Sequence, residues 1–157
     1  MIVLVWTNYY GERIGLRMNS QLIIVVDADA IIGQTDPKDP HHQKANEISQ
    51  KLNSLDAQVL YPVTAVAEAN AHMQRVLNST ASAYGTAQFM GSPETNVVEV
   101  NKQTLINALN YFSPNTSKKN TLFDCIVAAV AEEYKADAIF SFDKFYKNKG
   151  FKLASEL

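Results

Sequence analysis

Four β-branched residues in succession, Ile23-Ile24-Val25-Val26, run straight into Asp27. Without polar alternation the run does not suit a strand with one wet face. It predicts a strand covered on both sides, as in a parallel sheet, that ends at a polar edge. Ligands of open α/β sheets gather outside the carboxyl ends of the strands. Asp27 is therefore the first candidate for chemistry, and the question is which residues converge on it.

Downstream, apolar runs and helical periods alternate. After a turn of helix through Ile31, Gly33 to Pro40 carries the Gly and Pro of a loop, and His42 to Leu55 reads as a helix with Ala45, Ile48, Leu52 and Leu55 on one stripe. Val59 to Tyr61 is a second strand stopped by Pro62. Thr64 to Leu77 is a helix whose Val66, Ala69, Met73, Val76 and Leu77 form an apolar face, and Ser82 to Met90 is a second, antiparallel helix. Val97 to Val100 is a third strand, followed by a helix from Gln103 to Phe112 and a polar loop to Asn120. Thr121 to Lys135 is an alanine-rich helix with Leu122, Ile126, Val127 and Val130 inward. Ala138 to Phe142 is a fourth strand, Asp143 opens a short helix to about Lys149, and Phe151 to Leu153 is a last strand. Strands alternating with helices imply a parallel sheet with helices on both faces. Residues 1–20 have no sustained period and read as an N-terminal extension or an extra edge strand, leaving 21–157 as one domain.

On this map four acids share one edge of the sheet. Asp27 follows the first strand, Glu68 lies in the helix after the second, Asp124 opens the alanine-rich helix, and Asp143 follows the fourth strand. Each has a plain structural role available: Asp27 and Asp143 as N-caps, Asp124 as the acidic half of a capping box with Thr121, Glu68 as a complement to a helix dipole, each worth about 1 kcal/mol. Caps, however, need not cluster, and Val26-Asp27-Ala28 and Phe123-Asp124-Cys125 set a charge in apolar surroundings where it is costly unless compensated. Gathered carboxylates repel or require a cation, and an all-oxygen site suits Mg²⁺ or Mn²⁺. Histidine does not accompany them, so zinc is not expected.

The totals narrow the function classes. Fourteen Lys and Arg against sixteen Asp and Glu give a formal charge of -2, unsuited to coating nucleic acid by bulk electrostatics. A single cysteine, Cys125, excludes an internal disulfide and suggests a reducing, cytoplasmic setting. No apolar run approaches the ~20 residues of a membrane span.

The segments IIVVDADAIIG, TAVAEANAHM and TLFDCIVAAVAEEYKADAIFSFDKFYKNKGFKL resemble the acidic motifs of PIN-domain ribonucleases, in order, from Leu22 to Leu153. The nearest likeness is to single-domain toxins of the VapC type. The resemblance implies a three-layer α/β/α sandwich with a mainly parallel central sheet, and metal ligation by Asp27, Glu68, Asp124 and Asp143, with Asn120 and Ser141 as helpers. Ala28 stands where many members carry a hydroxyl. Asp29 is expected to point away from Asp27, in a local cap or solvent role. The implied activity is endonucleolytic hydrolysis of RNA leaving a 5′-phosphate, with Arg75, Lys118, Lys119, Lys144 and Lys147 as phosphate contacts alongside Lys149 and Lys152. The implied partner is an antitoxin, and Met73, Val76, Leu77, Phe89 and Met90 suggest that the helix pair from Thr64 to Met90 packs against a second copy of the chain or an antitoxin helix. Two other readings stand beside this one. Asp27-Ala28-Asp29 with Thr64 also suits a haloacid-dehalogenase-like phosphatase, although Ile31 and the lone Asp143 depart from that pattern. A noncatalytic PIN-like RNA-binding module is the other, against which the presence of all four acids argues.

Overall fold

The computed structural model describes residues 21–157; the expectation for residues 1–20 lies outside them. Strand β1 (Ile23–Val26) is followed by helices α1 (Ala28–Thr35) and α2 (His42–Ser54), β2 (Gln58–Pro62), α3 (Val63–Arg75), α4 (Thr80–Met90) and β3 (Asn96–Val98). Then come α5 (Lys102–Ala108), α6 (Leu122–Glu133), β4 (Ala138–Phe140), α7 (Phe145–Asn148) and a 3₁₀ turn at Ala154–Glu156. The four strands form one all-parallel sheet in the order β3-β2-β1-β4. The chain moves outward from β1 to β2 to β3, then returns past β1 to place β4 on its other side. Strand order therefore reverses between β1 and β4, and the crevice at such a reversal is where α/β sheets bind ligands.

Hydrophobicity sets the layers. Ile24, Val25 and Val26 are fully buried, as are Ile139 and, within 1%, Phe140, so the two central strands are covered on both faces. Helix α6 is buried from Cys125 through Ala131, well beyond the single inward stripe that its sequence suggests, because α3, α5 and β1 pack against it. Small alanines let three neighbours approach at once. Leu122, expected inward, is only half-buried, and Leu55 and Val76 are exposed.

Several boundaries differ from expectation for local reasons. Helix α1 continues through Gly33, which also lets α2 approach closely: a Cβ there would stand a tight 3.3 Å from that of Ala45, and the Gly33 carbonyl meets His42 Nδ1 at 2.7 Å. Strand β4 ends at Phe140 rather than Phe142, since the Phe142 amide donates to Asp29 at 2.8 Å. Helix α5 stops at Ala108, and the last strand reduces to a single parallel bridge between Ile139 and Leu153. Met73 and Met90, expected on an interface, are buried. Met73 sits under α4, where the Thr86 hydroxyl meets its sulfur at 3.6 Å. Among the described residues no helix is long and apolar enough to cross a membrane.

Candidate active site

The ends of β1 and β4 and the start of α1 build the centre of the site. Asp27 is 4% exposed and N-caps α1: Oδ1 accepts from the Ala28 amide at 2.7 Å, while Oδ2 accepts from the Tyr146 hydroxyl at 2.8 Å and the Ser141 hydroxyl at 3.1 Å. Ser141 also lies 2.9 Å from Asp29 Oδ2 and accepts from the Asp143 amide at 3.1 Å. Its single proton serves one carboxylate at a time, so this hydroxyl is the hinge between the two acids.

Asp29 thus corrects the sequence expectation. Asp27 is the cap and not part of the helix, so Asp29 occupies the second helical position, where the Cα–Cβ bond leans back toward the N-terminus and over the strand ends. Its Oδ2 takes both the Ser141 hydroxyl and the Phe142 amide, and its Oδ1 is buried without a partner. The signal was in the chain, but only the cap assignment makes it visible.

Asp124 closes the capping box of α6, accepting from the Thr121 amide and, at 3.1 Å, from its hydroxyl. Asp143 accepts from the Phe145 amide at 2.8 Å through Oδ1 and from the Asn120 side chain at 3.2 Å through Oδ2. Glu68 is half-buried on α3. Capping and clustering are therefore not alternatives, since Asp27, Asp124 and Asp143 each use a carboxylate oxygen to hold a helix start while facing one crevice.

Electrostatics ties the five acids together. Burial, then the charge of Asp29, holds Asp27 well above the usual carboxylate range, with Asp124 adding to the effect. Burial is likewise the first cause at Asp29 and at Asp124, and Asp143 raises both. Glu68 is pushed up to about 7, by burial and then by Asp124 and Asp29. Tyr146 is raised well above its ordinary value by burial and by Asp27, which keeps it a hydrogen-bond donor. The ion pairs among the described residues, Lys44–Glu47 and Lys147–Glu156, involve none of these acids.

The site's chemistry suits a hard divalent cation: the donors are all oxygen, they repel one another, and a buried carboxylate oxygen of Asp29 has no partner. Among the described residues no three acids, histidines or cysteines stand at ligand spacing.

The expected phosphate contacts scatter. Arg75, at the end of α3, Lys118, Lys119 and Lys144 are exposed. Lys147 pairs with Glu156 at 2.7 Å, and Lys149 lies over the Phe145 ring at 5.6 Å. His41 stacks on Phe142 with centroids 4.2 Å apart, and His42 bonds Gly33 and Asn46, in keeping with structural roles. Tyr146, the buried partner of Asp27, was not foreseen. Its place three residues after Asp143, as the second residue of α7, is the clue that the sequence offers.

A family model described as the PIN domain matches residues 24–152. No curated protein sequence matches the chain. Among solved structures, it is similar to the VapC20 toxin of Mycobacterium tuberculosis, described as cleaving the sarcin-ricin loop, with a TM-score of 0.72 and 16% identity over 82% of this chain and 95% of that one. It is also similar to FitAcB from Neisseria gonorrhoeae, with a TM-score of 0.58 and 15% identity over 83% of this chain and 95% of that one. With the sheet reversal, the acid-lined crevice and a match spanning most of the chain, this protein belongs to the PIN-domain family.

Proposed function

We propose that the chain is a divalent-metal-dependent endoribonuclease, the toxin of a toxin–antitoxin pair. The observation that carries the reading is the cluster of mutually repelling acids at the sheet reversal, with no cationic side chain paired to it among the described residues. Such a cluster costs stability as it stands, and a bound cation offsets that cost. Similarity to a toxin described as cleaving the sarcin-ricin loop supports RNA as the substrate class.

Asp27, Glu68, Asp124 and Asp143 would hold Mg²⁺ or Mn²⁺, with Asp29 and its partnerless oxygen in support. Held there, a divalent ion would supply an acidified water and neutralise charge on the phosphodiester. The chain's own groups do the rest. Tyr146 and Ser141 fix Asp27 from two sides, Asn120 fixes Asp143, and Thr121 fixes Asp124, so the carboxylates are oriented before substrate arrives. Lys118 and Lys119, exposed on the loop that carries Asn120, would meet flanking phosphates. The α3–α4 hairpin exposes Val76, Tyr84 and Phe89, apolar side chains that an antitoxin would cover.

The deciding experiment is cleavage of total RNA with Mg²⁺, with Mn²⁺ and with EDTA, using wild type, Asp27→Asn and Asp124→Asn. Scission that needs the metal and falls at least about 100-fold in both variants is the expected result. Turnover of a phosphomonoester instead would favour the phosphatase reading, and binding of RNA without scission the noncatalytic one.

A further inference from the structure

The loop that follows α5 walls a pocket of about 460 Å³, within the size range of small-ligand sites. Leu109, Phe112 and Pro114 give it apolar lining, and Thr116, Lys118 and Asn120 polar lining. Leu109 and Phe112 are 57% and 39% exposed, so the core does not account for their placement. The loop's shape is fixed internally: the Ser113 amide donates to the Thr116 hydroxyl oxygen at 2.7 Å, the Thr116 amide to the Ser113 carbonyl at 2.9 Å and the Asn120 amide to the Ser117 carbonyl at 2.9 Å. Two pocket residues also touch the acids, Asn120 through Asp143 and Thr121 through Asp124. An occupant would therefore lie against the carboxylate crevice.

We infer that this pocket seats an unstacked nucleobase of the RNA strand beside the phosphate to be cut; the inference rests on the nuclease reading above. A base presents a flat π-face and a hydrogen-bonding edge, matching the apolar surface of Phe112 and Leu109 and the Asn120 side-chain oxygen, whose nitrogen is the atom held by Asp143. Its own backbone carries negative charge, and the segment from Tyr111 to Thr121 contains Lys118 and Lys119 and no acid, against a chain of net charge -2. A docked helix would need a long apolar stripe, whereas three apolar side chains around one pocket suit a single planar group. The pocket thereby makes the loop a specificity element, selecting which nucleotide adjoins the cut.

The test uses short oligoribonucleotides carrying fluorescent 2-aminopurine at each position in turn, bound to the Asp27→Asn protein so that turnover is not needed. One labelled position should change its fluorescence on binding, and adding Phe112→Ala should abolish that change and weaken binding about tenfold. In parallel, cleavage sites mapped on total RNA should show a nucleotide preference next to the cut for wild type that flattens for Phe112→Ala and for Leu109→Ser. Both positions are at the surface, and thermal melting checks the fold. If no labelled position responds, or if the response and the preference survive the substitutions, the pocket inference is overturned. A Phe112-dependent response in an RNA that is never cut with Mg²⁺ or Mn²⁺ would instead sink the nuclease reading and leave the base pocket standing.

Discussion

Replacing Glu68 with glutamine should make the metal-free protein more stable while removing its activity. Glu68 rises from 4.5 to about 7 on folding, first because it is buried and then because Asp124 and Asp29 repel its charge. The native state thus binds the proton more tightly than the unfolded chain. The stability that this protonation brings is complete below pH 4.5 and is lost as the pH climbs to about 7, with no further loss above. A shift of that size corresponds at most to about 3 kcal/mol, and because the carboxyl remains partly open to water, screening brings it to about 1–2 kcal/mol. Glutamine keeps the shape and removes the charge. In EDTA at pH 8, Glu68→Gln should melt about 2–8 °C above wild type, with the gain shrinking toward pH 4.5. Differential scanning calorimetry over that pH range reads the effect directly. If Glu68→Gln melts at or below wild type throughout, the carboxylate is not under repulsion and the account of the crevice fails. Saturating Mg²⁺ or Mn²⁺ should close the gap by stabilising wild type more than the variant.

Other outcomes follow from the same geometry. Tyr146→Phe leaves the buried Asp27 without one of its donors and should cost about 1–3 kcal/mol, seen as a lower melting temperature in EDTA; an unchanged value would mean that the 2.8 Å contact does not bear on stability. Binding of Mg²⁺ or Mn²⁺ near pH 6.5 should release protons, Glu68 contributing because its carboxyl sits at about 7; titration calorimetry in buffers of different ionisation enthalpy would detect this, and heats independent of the buffer would contradict it. Lys147→Ala should leave RNA cleavage within about twofold of wild type, because that ammonium is already paired with Glu156.

What could be read from the chain alone follows from how each feature is encoded. The strand Ile23–Val26 and the alanine-rich helix are written in contiguous residue types, an apolar run that stops at Asp27 and another that starts behind Asp124. The role of Asp29 depends instead on a half-turn of backbone geometry, since its direction changes once Asp27 is recognised as the cap. Tyr146 and Ser141 reach Asp27 across 119 and 114 residues, contacts that no local period reports. Gly33 looked like loop punctuation because the close passage of Ala45 belongs to packing between helices. Lys147 resembled a phosphate contact until its partner nine residues on was known.

Helix α6 has no watery flank between Cys125 and Ala131, so almost every substitution along it either leaves a hole or forces neighbours apart. Asp124 is anchored to the first turn of that immovable rod. Its coordinates are consequently inherited from the interior and not from any surface segment. Evolution could rework the surrounding loops for new targets while this carboxylate stays where the core has put it.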